Sequence, residues 1–180
     1  AVATEVTVLT ATATTTIPPE TTAATESETT VAVTSTIPES DPFFQEHETW
    51  FKAYMDYRTI TDTDSVQYAM EQNAWTDDRG LRRMADDYLV AMGTGWLESG
   101  CGERFAVTLE NGSEFTVRVG DIKADQHTDK THRYRSCESG ANVLEFIVDT
   151  GMLSGEARNA GTVSVYPELS GNITAIVPAE

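Results

Sequence analysis

The chain has 180 residues, with 29 acidic and 12 basic side chains and a formal net charge of −17. That charge argues against nucleic acid and anionic membrane surfaces as partners, because both are bound through Lys and Arg. No apolar run reaches the roughly 18 residues that predict a membrane span, and no N-terminal pattern predicts a signal peptide.

The first 40 residues differ in composition from the rest. Thr occupies 14 of these positions, and Gly, Lys, Arg and aromatic residues do not occur among them. Such a segment buries too little apolar surface to offset its conformational entropy. The sequence predicts a disordered Thr/Pro-rich stalk over residues 1–42 and a folded domain over residues 43–180. A β-strand over residues 1–16 is the alternative. Stalks of this composition are typical of secreted or surface-tethered proteins, so we expect an extracellular location.

The domain opens with aromatic residues whose spacing fits a helical face or a strand face equally well; they are Phe43, Phe44, Trp50, Phe51, Tyr54 and Tyr57. Alternation predicts a strand over residues 65–70, and a short apolar run predicts a buried strand over residues 87–93. A Gly-rich connection follows, in which Trp96 is expected to be exposed or half-exposed.

A hairpin is the clearest local prediction. Residues 105–109 and 114–119 alternate apolar and polar side chains, and Asn111-Gly112 between them favours a type I′ turn. The second strand leads into Gly120-Asp121 and a polar loop. Further strands are predicted over residues 142–149, 161–166 and 173–177, with one short helix within residues 151–160. Six or seven short strands and almost no helix predict an all-β domain, a small closed β-barrel.

Two acids are candidates for catalysis. Asp121 follows a buried strand, where partial desolvation raises a carboxyl pKa toward the range of a general acid; a turn-capping role is the alternative. Glu145 lies among apolar residues and shares a strand face with Val143 and Ile147. It is therefore predicted to point into the same cavity as Asp121. An exposed face of an edge strand is the other interpretation of Glu145.

The loop after Asp121 carries Asp125, His127, Asp129 and His132. These are metal-ligating residue types, but their spacing matches no known metal motif, so we predict a substrate-contacting or solvated loop without metal or cofactor. The basic residues beside it are expected to pair with these acids or to contact a substrate carboxylate; they are Lys123, Arg133 and Arg135. Cys101 and Cys137 are predicted either to form one disulfide or to remain free thiols.

Several segments resemble a known family over residues 58–177. They are VAMGT, CGERFAVTL, the NG turn, EFTVRVGD, NVLEFIVDT and GTVSVY. In this order they resemble the double-psi β-barrel of rare-lipoprotein-A-like proteins, of three-aspartate (3D) lytic transglycosylase domains and of expansins. The loop GDIKADQHTD is similar to loops in extracellular domains of Gram-positive bacteria.

The resemblance implies a cell-wall enzyme that cleaves peptidoglycan lytically. Asp121 matches the family's strand-end aspartate, and Glu145 matches the acid of a later strand. The third family aspartate falls at Gly93, with Asp87 nearby. Asp129 is a further catalytic candidate, and the substrate-binding candidates are Trp75, Trp96, Lys123, Asp125 and His127.

The missing third acid leaves two other functions open. One is a glycan-binding or wall-loosening module without catalysis, with Trp75 and Trp96 as stacking platforms. The other is a metal-dependent hydrolase at the His/Asp loop. In either case the expected partner is peptidoglycan or another polysaccharide, and the protein is expected to be a monomer.

Overall fold

The structure is a computed structural model that describes residues 41–180, so the predicted stalk over residues 1–42, and the alternative strand within it, lie almost wholly outside the described part. Within the described residues, ten strands and three short α-helices follow one another. The strands are β1 (Ala53–Asp56), β2 (Trp75–Thr76), β3 (Arg82–Met84), β4 (Asp87–Gly93), β5 (Arg104–Leu109), β6 (Glu114–Lys123), β7 (Arg135–Cys137), β8 (Gly140–Asn142), β9 (Glu145–Val148) and β10 (Ile173–Pro178). The helices are α1 (Phe43–Glu46), α2 (Val66–Glu71) and α3 (Gly155–Ala160). The all-β class is therefore confirmed.

Strand β4 lies at the centre of the main sheet. Six strands follow one another in the order β1-β9-β4-β6-β5-β10, and β2 and β3 extend the sheet from β4. β4 pairs parallel with β6 and antiparallel with β9, and all seven of its residues are buried. The apolar run that predicted a buried strand over residues 87–93 reflects this central place.

The predicted hairpin is confirmed, with a different turn. β5 and β6 pair antiparallel from Arg104–Arg118 to Thr108–Glu114. Gly112 has a φ of +84°, whereas Asn111 is not among the described non-glycine residues with positive φ. The Gly112 N–H donates to Leu109 O (3.0 Å), and the Leu109 N–H donates to Ser113 O (2.9 Å). This pattern is a type I turn closed by a glycine bulge, which needs only one residue with positive φ.

Two predicted strands are wrong. The segment predicted as a strand over residues 65–70 lies instead in α2 (Val66–Glu71) and its N-cap, Ser65, whose hydroxyl accepts from the Tyr68 N–H (3.1 Å). Val66, an apolar residue at the start of this helix, is 60% exposed. Residues 161–166 contain a 3-10 turn, Val163–Val165, which begins where the Thr162 hydroxyl accepts from the Ser164 N–H (3.0 Å).

The remaining C-terminal predictions are closer to the structure. The helix predicted within residues 151–160 is α3, and the last strand is β10. The strand predicted over residues 142–149 is interrupted, because β8 ends at Asn142 and β9 begins at Glu145. Val143 and Leu144 between them are buried all the same.

A buried carboxylate fixes one corner of the sheet. Asp87, at the start of β4, is 3% exposed and accepts hydrogen bonds from the guanidinium groups of Arg104 and Arg118, with closest N–O distances of 2.8 Å. The hydrogen bond from Arg104 holds the pKa of Asp87 below its ordinary range, and the bond from Arg118 adds to this effect. Burial acts in the opposite direction but does not outweigh the two bonds. Asp87 therefore ties β4 to β5 and β6.

Candidate functional site

Asp121 and Glu145 flank a single residue of the central strand. On one side of β4, Ala91 is in register with Asp121 of β6, and on the other side it is in register with Glu145 of β9. Residues in register on neighbouring strands project to the same face of a sheet. The two acids therefore share one face, with the small side chain of Ala91 between them.

A bulge in β6 places Asp121 on that face. Val119 is in register with Val90, but Asp121, two residues later, is in register with Ala91, so Gly120 is the extra residue. Without the bulge Asp121 would project with Val119 into the main core. A Cβ at position 120 would lie 2.8 Å from Ile147 Cδ1, so glycine also fits the tight packing here.

A cleft of about 230 Å³ opens over these acids. Four of the predicted site residues line it together: Asp121, Glu145, Lys123 and His127. The remaining lining residues are Met55, Ala91, Ile122, Ala124 and Arg135. Two carboxyl groups, an imidazole and two basic side chains are thus brought to one opening.

Burial is the main reason that the pKa of Asp121 is raised, and the negative charge of Glu145 adds to the effect. The Ile122 N–H and the Gln67 side chain oppose it by donating hydrogen bonds to the carboxylate. Asp121 therefore holds its proton to a higher pH than an ordinary aspartate. Gln67 belongs to α2, which the sequence had predicted as a strand.

Lys123 pairs with the second acid from inside the sheet. Its Nζ lies 3.7 Å from Glu145 Oε2 and donates to Asn142 O (3.1 Å). Burial lowers the pKa of Lys123 to about 8, although the charge of Glu145 opposes that shift. The nearby Arg135 also lowers it. The side chain is 5% exposed, so it orients Glu145 from beneath and does not project into solvent.

A second cleft, also about 230 Å³, meets the first at Asp121. It lies beside α2 and the segment that precedes it, and it is mostly polar. Its lining residues are Thr59, Ile60, Thr61, Asp62, Ser65, Gln67 and Asp121. Asp121 therefore lies where the two adjoining clefts join.

The structure does not bring Asp129 to these clefts. Its Oδ1 accepts from the N–H groups of Arg133 (2.8 Å) and Tyr134 (3.2 Å), and its Oδ2 accepts from the N–H and hydroxyl of Thr131 (2.7 and 2.6 Å). Against the effect of burial, these bonds lower the pKa of Asp129 to about 2. The carboxylate holds its own loop together, a capping arrangement that the sequence spacing did not reveal.

The other predicted binding residues also lie outside the two clefts. The Trp96 ring stacks on Phe44 (centroids 5.6 Å apart) and lies under the Arg133 guanidinium (3.8 Å), so it packs within the fold. Trp75 is 50% exposed, with its Nε1–H donating to Ala85 O (3.2 Å). Asp125 accepts from the Thr94 hydroxyl (2.7 Å) and lies 3.6 Å from His132 Nδ1.

Neither metal ligation nor a disulfide is found in the described residues. Within residues 41–180, no group of three or more His, Cys, Asp or Glu side chains is arranged to hold a metal ion. Cys101 and Cys137 are free thiols, each half-buried. The pKa of the Cys101 thiol is raised to about 11 by burial and by the nearby Asp121.

No protein-family model, curated protein or solved structure significantly matches this chain. None of the helices in residues 41–180 combines the length and hydrophobicity needed to cross a bilayer.

Proposed function

We propose that this protein is an extracellular glycan-cleaving enzyme that acts on peptidoglycan or a related polysaccharide. An extended sugar chain would lie across the two adjoining clefts, with a glycosidic bond at Asp121 where they meet. The polar lining of both clefts and the net charge of −17 favour a neutral or cationic polymer over a polyanion.

One observation carries this proposal: Asp121 and Glu145 flank Ala91 on the same sheet face and line the same cleft. With strands about 4.8 Å apart, their Cα atoms are separated by roughly 10 Å, a span that two inward-leaning carboxyl groups can bridge around a sugar. A pair of carboxyl groups flanking the scissile bond is the usual requirement for glycosidic cleavage.

The chemistry assigns a separate role to each acid. Protonated Asp121 donates its proton to the glycosidic oxygen as the bond to the anomeric carbon breaks. Glu145, as a carboxylate held by Lys123, stabilises the positive charge that develops on the sugar ring. In lytic cleavage a hydroxyl of the same sugar then bonds to the anomeric carbon, and its proton returns to Asp121. In the hydrolytic variant, water takes the place of that hydroxyl.

The proposal includes a closed double-psi β-barrel, for which the main sheet supplies partial support. β1 and β10 are the two ends of the strand order. The Thr49 side chain, just before β1, accepts from the Ile173 N–H (2.8 Å) at the start of β10, and the Thr49 N–H donates to Asn172 Oδ1 (2.8 Å). Side-chain hydrogen bonds thus hold the two ends of the sheet near each other.

The test is digestion of purified peptidoglycan by wild type and by Asp121→Asn, which keeps the shape of the side chain but cannot act as an acid. We expect wild type to release soluble anhydro-muropeptides and Asp121→Asn to lose at least about 100-fold in rate. Asp78→Asn, whose side chain is 94% exposed and outside both clefts, is the matched control and should retain full activity. Equal product release by all three proteins would contradict the assignment.

A non-catalytic glycan-binding module is the second candidate, and the exposed Trp75 ring favours it. An indole face that is 50% exposed offers an apolar surface on which a sugar ring can stack. In that case Asp121→Asn would sediment with insoluble peptidoglycan as well as wild type does, no protein would release products, and Trp75→Ala would lose binding.

A further inference from the structure

A third cleft, of about 460 Å³, shares no lining residue with the two that meet at Asp121. It lies beside the β3–β4 turn and the start of β6, and it combines one guanidinium group with hydroxyl, aromatic and acidic side chains. Its lining residues are Arg83, Asp86, Tyr88, Ser113, Glu114, Phe115, Thr116 and Glu168. Its volume falls within the range of about 300–1,000 Å³ that is usual for small-molecule sites.

Arg83 is the unusual residue of this third cleft. Its Nε and Nη1 are buried and find no hydrogen-bond partner among residues 41–180, and no acid there pairs with it. The guanidinium group lies over the Tyr88 ring in a cation–π contact, with Arg83 Cζ 3.8 Å from the ring centroid. Arg83 is only partly buried, but two unpaired buried nitrogen atoms are costly, and the flat, forked donors of a guanidinium group fit a carboxylate.

The acids of the same cleft do not meet this need. Glu168 is paired with Arg79, and Asp86 and Glu114 are exposed on the rim without reaching Arg83. These rim acids, together with the net charge of −17, would repel a polyanion such as a phosphate ester. Asp86 and Glu114 would instead attract a positive group on a ligand whose carboxylate binds Arg83, if the two groups are a few ångströms apart.

We propose that the third cleft binds a small zwitterion, an amino acid or short peptide with both a free carboxylate and an ammonium group. The carboxylate would accept from Arg83, the hydroxyl groups of Ser113 and Thr116 would offer further hydrogen bonds, and the ammonium group would lie between Asp86 and Glu114. Phe115 supplies an apolar wall for the ligand's carbon atoms. This assignment does not depend on the glycan-cleaving function.

Calorimetric titration of the whole protein with L-alanyl-L-alanine tests the proposal. We expect saturable binding by wild type and a loss of at least about tenfold in affinity for Arg83→Met, because one charge-assisted pair is removed. Arg158→Met, an exposed arginine of α3 outside this cleft, is the matched control and should bind as wild type does. Capping either end of the dipeptide, as the C-terminal amide or the N-acetyl form, should weaken binding comparably.

Glu114→Gln provides a readout that does not depend on how Arg83→Met folds, because Glu114 is exposed. It should weaken binding of the free dipeptide and leave the weaker binding of the N-acetyl form unchanged. The proposal is overturned if wild type does not bind the dipeptide, if the amide binds as tightly as the free acid, or if Glu114→Gln has no effect.

Discussion

Gln67 reaches from α2 to the carboxyl group of Asp121 and donates a hydrogen bond to its charged form. Burial pushes the pKa of Asp121 up while this bond and the Ile122 N–H hold it down. The proton affinity of the proposed general acid is thus a balance that a single side chain can change.

Gln67→Leu should raise the pKa of Asp121 further, because it removes a donor that favours the carboxylate. The measurement is a pH titration of the Asp121 carboxyl carbon by NMR, in which the midpoint should move to higher pH. If Asp121 is the general acid, the fall of activity at high pH should move in the same direction, since the acid must be protonated. Gln72→Leu, exposed at the end of the same helix, should leave the midpoint unchanged; an unmoved midpoint in Gln67→Leu would contradict the balance described.

The sequence predicted Asp121 and Glu145 as a pair because Asp121 follows a predicted buried strand and Glu145 lies among the apolar residues of another. It could not identify Gln67 as a neighbour, since six residues of α2 carry too short a pattern to separate a helix from a strand. It also grouped Asp129 with the catalytic acids, because a carboxylate that caps its own loop looks the same in sequence as one that faces a cleft.

Strand β4 ends where the loop of residues 125–134 packs against its continuation. The Gly95 N–H donates to His132 O (3.0 Å), and a Cβ at Gly95 would lie 2.1 Å from Thr131 O. Backbone therefore meets backbone at this contact, which leaves no room for even a methyl group. The loop that carries His127 is held to the sheet through it.

Gly95→Ala should destabilise the protein by about 2 kcal/mol, because the added methyl group forces the loop away from the turn. Gly155→Ala is the matched control, since a Cβ there meets nothing within 4 Å and the residue begins α3. It should leave the free energy of unfolding unchanged or raise it by up to about 1 kcal/mol. Urea denaturation measures both, and equal stability of the two variants would refute the tight contact.

At the level of elements, prediction succeeded where a pattern was long and failed where it was short. β4, β5 and β6 each run for six residues or more, and all three were predicted within a few residues. β2, β3, β7 and β8 have two or three residues each, too few to show any period. The bulge at Gly120 also escaped, because a glycine in a strand signals a bulge without fixing the register that results.

The first and last parts of the domain meet at a buried lysine. Lys52 is 0% exposed, and its Nζ donates to Trp50 O (3.0 Å) and Gly171 O (2.7 Å). Burial lowers the pKa of Lys52 to about 7, with the charge of Glu110 opposing the shift. These hydrogen bonds join the segment before β1 to the loop before β10, next to the Thr49–Ile173 contact.

This lysine makes stability depend on pH. Unfolded Lys has a pKa of about 10.4, so between about pH 7 and that value the unfolded chain binds a proton that the folded chain does not. Burying the charged Lys52 side chain destabilises the folded state, and this destabilisation is fully present below about pH 7. It decreases as the pH rises above that value, because folded Lys52 loses its proton. Relative to Lys52→Met, wild type should gain about 1.4 kcal/mol of stability per pH unit across that window.

Denaturation with urea at pH 6, 7.5 and 9 measures this slope for wild type and for Lys52→Met. Lys130→Met, which replaces an exposed lysine, is the matched control and should follow wild type at every pH. Parallel stability curves for wild type and Lys52→Met would contradict the lowered pKa of Lys52.

The order of strands in the main sheet could not be predicted from local patterns. The neighbours of β4 are β6 and β9, which lie about 30 and 55 residues further along the chain, and no periodicity reports such long-range pairing. The sequence therefore predicted an all-β domain with correct central strands, whereas the register that brings Asp121 and Glu145 together needed the structure.

That register has a consequence for the rigidity of the site. Enzymes often mount reactive groups on surface loops, so that thermal fluctuations of a loop alter their separation. Here the spacing between the two acids is set by backbone ladders on either side of one residue, Ala91, in the middle of the sheet. The distance between their Cα atoms can change appreciably only if the sheet itself deforms, so only side-chain rotations adjust the separation of the two carboxyl groups.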